Sequence, residues 1–112
     1  PVIYVKTVEE FKTKPLQKSV RDVHSFGFSI DALLCRSEEE IPSKILEKIS
    51  NTTGIPKEAV IAAPDVKSIY QVPIEFYKRH VDDLIVDKFR LKRNYCKITK
   101  YRELVEHYMA NE

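Results

Sequence analysis

Residues 30–63, IDALLCRSEEEIPSKILEKISNTTGIPKEAVIAA, decide the fold. Ile30 to Cys35 reads as a short, mostly apolar strand, and Ala59 to Ala63 reads as a second. Between them Ser43 to Thr53 reads as a helix, entered at Pro42 or Ser43, with Ile45, Leu46 and Ile49 as its apolar stripe. Gly54 ends it, because glycine takes the left-handed conformation that closes a helix. Strand, helix and strand within 34 residues is the length of a βαβ unit, which predicts parallel strands and a right-handed crossover. Strands that are apolar on both faces are expected where helices cover both sides of a parallel sheet.

Working outward, a helix is predicted from Lys14 to Phe26, with Pro15 in its first turn, where a missing N–H costs nothing. Leu16, Val20 and Val23 mark its buried stripe, and Gly27 closes it. Downstream, Val66, Ile69 and Tyr70 predict a short helical turn stopped near Pro73. Ile74 to Arg79 and Val81 to Phe89 read as helices, and residues 90–98 as a connection. A last helix is predicted over Thr99 to Met109, with Tyr101, Leu104, Val105 and Tyr108 on one face. The fold class is therefore α/β: a partial Rossmann-like or P-loop-type open parallel sheet flanked by helices, made of a βαβ unit plus C-terminal helices. Two strands make a poor independent sheet, so neighbouring strands are expected to be missing.

At 112 residues and 43% hydrophobic content the chain suits one small domain. Its 19 basic and 17 acidic residues leave a formal charge of +2, which predicts neither nucleic-acid nor membrane binding. Charged residues make up 32% of the chain, and the two cysteines, Cys35 and Cys96, make no disulfide framework. Reduced thiols and a cytoplasmic location are the expectation. No apolar run approaches the roughly 20 residues of a membrane helix. No basic stretch followed by an apolar segment opens the chain as a signal peptide would. The first residue is Pro1, not methionine, as expected of a chain that is processed, excised or part of something larger.

In an open α/β sheet ligands bind beyond the carboxyl ends of the strands. Here those ends are Arg36 and Ser37, and Pro64 to Lys67. The helix start at Lys14-Pro15 is a third polar element: free N–H groups with Lys12 and Lys14 beside them suit a phosphate.

The segment Lys12-Thr13-Lys14-Pro15-Leu16-Gln17-Lys18-Ser19-Val20 resembles the uridine-nucleotide motif of the CTP synthase family. Further blocks are similar to that family in the same order. They are Phe26-Gly27, Ile30 to Ser37, Lys48-Ile49, Glu58 to Ile61, Asp65-Val66, Ser68 to Pro73 and Val81-Asp82-Asp83. The resemblance runs from about Glu10 to Phe89, and Tyr101 to Val105 resembles the segment leading toward the family's glutaminase domain. By this resemblance residues 1–89 are the C-terminal half of a synthetase (amidoligase) domain, and residues 90–112 a connector and C-terminal helix.

The resemblance implies an ATP-dependent amide-forming ligase. The family phosphorylates O4 of UTP with ATP and Mg²⁺, and ammonia released from glutamine in a separate domain displaces the phosphate to give CTP. Carried over by position, Lys12, Thr13, Lys14, Pro15, Leu16, Gln17 and Lys48 would line the site for UTP and inhibitory CTP, and Pro64, Asp65 and Val66 would lie by the adenine of ATP. The partners implied are nucleotides, a family tetramer of like chains, or the missing half of a CTP synthase. Departures from the family pattern are Leu16 in place of threonine, Lys18 in place of histidine or asparagine, and Pro64, which has no N–H to donate. No Gly-x-x-x-x-Gly-Lys-Ser/Thr phosphate loop occurs in the sequence. The family's Mg²⁺ carboxylates are expected outside these residues, and neither cysteine has the glycine-flanked turn of a glutaminase nucleophile. This chain alone is therefore not expected to catalyse. The alternative reading is a truncated, non-catalytic paralogue that binds a nucleotide or a CTP synthase.

Other features have plainer readings. Cys35 is a buried structural thiol at the end of an apolar strand. His24, His80 and His107 lack ligand spacing. The basic residues between Lys88 and Arg102 read as a solvated connector rather than an RNA-binding surface. Glu38, Glu39 and Glu40 form a solvent loop that favours the next helix start electrostatically.

Overall fold

A computed structural model describes residues 2–5 and 10–111. Two compact units divide between Asp65 and Val66.

The first unit holds β1 (Ile3–Val5), β2 (Glu10–Lys12), α1 (Lys14–Ser25), β3 (Leu33–Ser37), α2 (Ser43–Thr53) and β4 (Val60–Pro64). β3 and β4 pair in parallel, with Cys35 opposite Ala62 and Ser37 opposite Pro64, so the predicted βαβ unit is present. α2 covers the stretch predicted and ends at Gly54 with φ +74°, the left-handed close that a side chain would strain. Gly27 likewise follows α1 with φ +82°. Both strands begin later than expected. Residues 30–32 lie outside β3, and Ala59 belongs to a 3₁₀ turn, Lys57–Ala59, that leads into β4.

β4 meets the expectation of burial on both faces, since Val60, Ile61 and Ala62 are all in the core. β3 does not. Cys35 and Ser37 are buried while Leu34 is 42% exposed and Arg36 points outward, so one face of that strand is uncovered among the described residues. Two further strands, β1 and β2, add nothing to the β3–β4 sheet. They pair antiparallel in a separate two-stranded sheet, with the rings of Tyr4 and Phe11 4.8 Å apart across it. Three residues each is too short for alternation to register in the sequence. Before β1, the N–H of Val2 donates to the carbonyl of Arg36 on β3 (2.7 Å).

Ile49 and Cys35 are fully buried at the centre of this unit, with Leu16 and Val20 of α1 also in the core. Burial pushes the Cys35 thiol up from 9.0 to about 11. The folded chain thus holds this proton more tightly than the unfolded chain. Its contribution is constant below about pH 9, then falls as the unfolded thiol ionises first, until the folded thiol follows near 11. A gap of that size is worth about 2–3 kcal/mol. Urea unfolding at pH 8 and pH 10.5 should show this extra alkaline loss in the wild type and not in Cys35→Ala. The exposed Cys96 should react with a thiol reagent in the native state while Cys35 does not.

The second unit holds α3 (Val72–Lys78), α4 (Val81–Lys88) and α5 (Ile98–Ala110), with Ile74, Val81 and Val105 buried. Pro73 starts a helix here rather than stopping one. Ser68 caps a 3₁₀ turn, Ile69–Gln71, accepting from the N–H of Tyr70 (3.4 Å), while Gln71 Oε1 accepts from the N–H of Ser68 (3.1 Å). That turn runs straight into α3, where Pro73 occupies the first turn and needs no N–H. Arg93 clips the connecting segment to α4 with bonds to Asp83 (3.0 Å) and Asp87 (2.7 Å). Leu104, expected on the buried face of α5, is 66% exposed. Among the described residues no helix is long and apolar enough to cross a membrane.

Candidate functional site

Lys12 ends β2 and Lys14 begins α1, so the Lys-Thr-Lys-Pro-x-Gln segment is an elbow between a strand and a helix. Thr13 is its hinge. It is 3% exposed, and its hydroxyl accepts a hydrogen bond from Gln17 Nε2 (3.1 Å) instead of capping the helix. The carbonyl of Thr13 also accepts from the N–H of Gln17 (3.0 Å). Leu16 packs into the core, so only its backbone faces the elbow's surroundings. Pro15 has no N–H, and the N–H groups of Lys14 and Leu16 gain no side-chain cap. The elbow therefore carries a fixed partial positive charge with two exposed lysines beside it.

β2 puts Glu10 and Lys12 on one face, two residues apart, and Lys12 Nζ bonds Glu10 Oε2 at 2.9 Å. That ammonium holds the Glu10 carboxyl below its usual range, and Lys48 on α2 pulls it the same way. Lys12 is the partner in contact with this anion, and Lys48 acts on it only as a weaker, more distant positive charge.

A second polar region lies at the carboxyl ends of β3 and β4, where an open sheet presents its ligands. A cleft of about 260 Å³ is lined by Val2, Tyr4, Arg36, Ser37, Glu38 and Asp65, with Ile3 also on its wall. Arg36 Nε bonds Asp65 Oδ1 at 2.8 Å across the two strand ends. Pro64 cannot donate to the ladder, which closes one residue later with the N–H of Asp65 on the carbonyl of Ser37 (2.8 Å). Val66 is the next residue and opens the second unit.

The structure thus brings Lys12, Thr13, Lys14 and Gln17 together at the elbow, while Lys48 lies on α2, which packs against α1, and Pro64 and Asp65 lie at the strand ends. Sequence reasoning missed Glu10, Val2 and Tyr4, because it did not read β1 and β2. The Arg36–Asp65 pair spans 29 positions and has no local signal. Among the described residues no three His, Cys, Asp or Glu side chains come together to hold a metal ion.

Comparison with known proteins bears on this geometry. Residues 1–91 match the family model described as CTP synthase N-terminus. The chain is 35% identical over 104 residues to the CTP synthase of Aquifex aeolicus, and 36% identical over 104 residues to that of a Hydrogenobaculum species. Each alignment covers 93% of this chain, and the chain spans about 20% of each relative's length. The comparison gives an N-terminal placement within CTP synthase, and this replaces the expected C-terminal half. The chain belongs to the CTP synthase N-terminal family.

Proposed function

We propose that this chain is the part of an ATP-dependent CTP-forming ligase that grips the triphosphate of UTP, and of CTP as product inhibitor. The observation that carries the reading is the exposed pair Lys12 and Lys14 beside an uncapped helix start, with Lys12 already engaged by a carboxylate at 2.9 Å. A group that holds one anion in the folded chain suits another of greater charge. Lys12, Lys14 and Lys48 supply positive charge to phosphate oxygens, and the Thr13–Gln17 bonds keep the elbow's angle fixed. Such a grip orients UTP and offsets its repulsion from a second triphosphate. Pro64 and Asp65, followed by Val66, stand at the strand ends where ATP is expected by the same family resemblance. By the family resemblance, the phosphoryl transfer itself, the ammonia supply from glutamine and a tetrameric assembly in the cytoplasm are proposed for the enzyme as a whole.

Competition tests this reading. Fluorescently labelled UTP bound to the protein should be displaced by UTP and by CTP, and not by uridine. Equal displacement by uridine, or no binding of UTP, contradicts it.

A further inference from the structure

The elbow holds Lys12 in a form that is not free for a ligand. Lys12 Nζ sits 2.9 Å from Glu10 Oε2, and Lys48 acts on the same carboxylate. Glu10 is the residue of β2 whose side chain shares a face with Lys12, while Phe11 between them stacks against Tyr4 on the opposite face. The strand thus keeps the two side chains on one face, within reach of each other. Both partners are solvent-accessible, so the contact adds little to stability, and its effect is on the charge that an approaching anion meets.

We propose that Glu10 is a specificity-determining residue: its carboxylate is a built-in counter-anion that a phosphate must displace from Lys12 before a ligand occupies the elbow. This rests on the reading of the elbow as a triphosphate site. A singly contacting anion such as inorganic phosphate exchanges one anionic partner of Lys12 for another and gains little. A triphosphate contacts Lys12, Lys14 and Lys48 together and displaces the carboxylate with contacts to spare. Glu10 thus keeps Lys12 ordered when no nucleotide is bound and holds affinity for smaller anions down. An uncharged nucleoside does not need the lysines and is indifferent to it.

The test is a set of titrations of the whole protein with UTP, inorganic triphosphate, inorganic phosphate and uridine, at low and high salt. Glu10→Gln keeps the shape and removes the charge. It should tighten UTP and inorganic triphosphate roughly three- to tenfold at low salt, leave uridine unchanged, and lose most of the gain at high salt. Glu10→Asp keeps the charge and should behave as the wild type, and melting temperatures of both variants should match it. Lys12→Ala in the same series separates the two ideas. If it weakens UTP binding while Glu10→Gln fails to tighten it, the role of Glu10 is overturned and the site stands. If Lys12→Ala leaves UTP binding unchanged, the site and the role of Glu10 fall together. A Glu10→Gln variant that loses affinity and melts lower shows a structural residue and also overturns the proposal.

Discussion

Replacing Lys12 and Lys14 together by alanine should weaken UTP binding about 100-fold, roughly tenfold for each lysine, since a charge-assisted bond to phosphate is worth about 1.5 kcal/mol or more. Both side chains are exposed, and neither belongs to the core, so the fold should survive. Circular dichroism and the melting temperature check that point, and calorimetric titration reads the affinity. The remaining affinity should depend less on salt than that of the wild type, because two of the charges that meet the triphosphate are gone. Lys48→Ala should show a smaller loss of the same kind. An unchanged affinity in the double variant would remove the elbow from the account altogether.

Ile49→Ala should give the largest loss of stability. Ile49 lies at the centre of the first unit with no exposed surface, on the helix that links the two parallel strands. Truncation removes the transfer free energy of the side chain and leaves a cavity, at a cost of about 3 kcal/mol. In a domain of this size that lowers the melting temperature by roughly 10–15 °C. Leu104→Ala is the matched control. It also truncates a helical leucine-sized side chain, but Leu104 is 66% exposed, and its change should stay within about 0.5 kcal/mol. Thermal melts of the two variants side by side check the assignment of core and surface. A large loss at Leu104 and none at Ile49 would reverse it.

Those two residues also show where the sequence is legible. Ile49 recurs with Ile45 at helical spacing between two apolar runs, and this pattern alone places α2 between β3 and β4. Leu104 fits a helical stripe equally well, yet a stripe wider than the surface it packs against leaves its margin in water. In the sequence Pro73 reads as a stop because proline breaks helices, but the Ser68–Gln71 capping box begins a new helical segment in which proline's missing N–H is harmless. The elbow was legible as a motif, since its lysines and glutamine are adjacent in sequence. Its charge state was not. The Lys12–Glu10 pair depends on β2, which is three residues long. Arg36 and Asp65 meet only because β3 and β4 run parallel in one register, which no local pattern encodes.

Titration of the isotopically labelled protein with UTP, followed by its backbone amide resonances, tests the central claim most directly. The account predicts saturable shifts centred on Lys12, Thr13, Lys14, Leu16 and Gln17 and on the Lys48 turn of α2, reproduced by CTP at the same residues. Shifts confined to the second unit, or no saturable shift at the elbow with UTP present in excess, would contradict it.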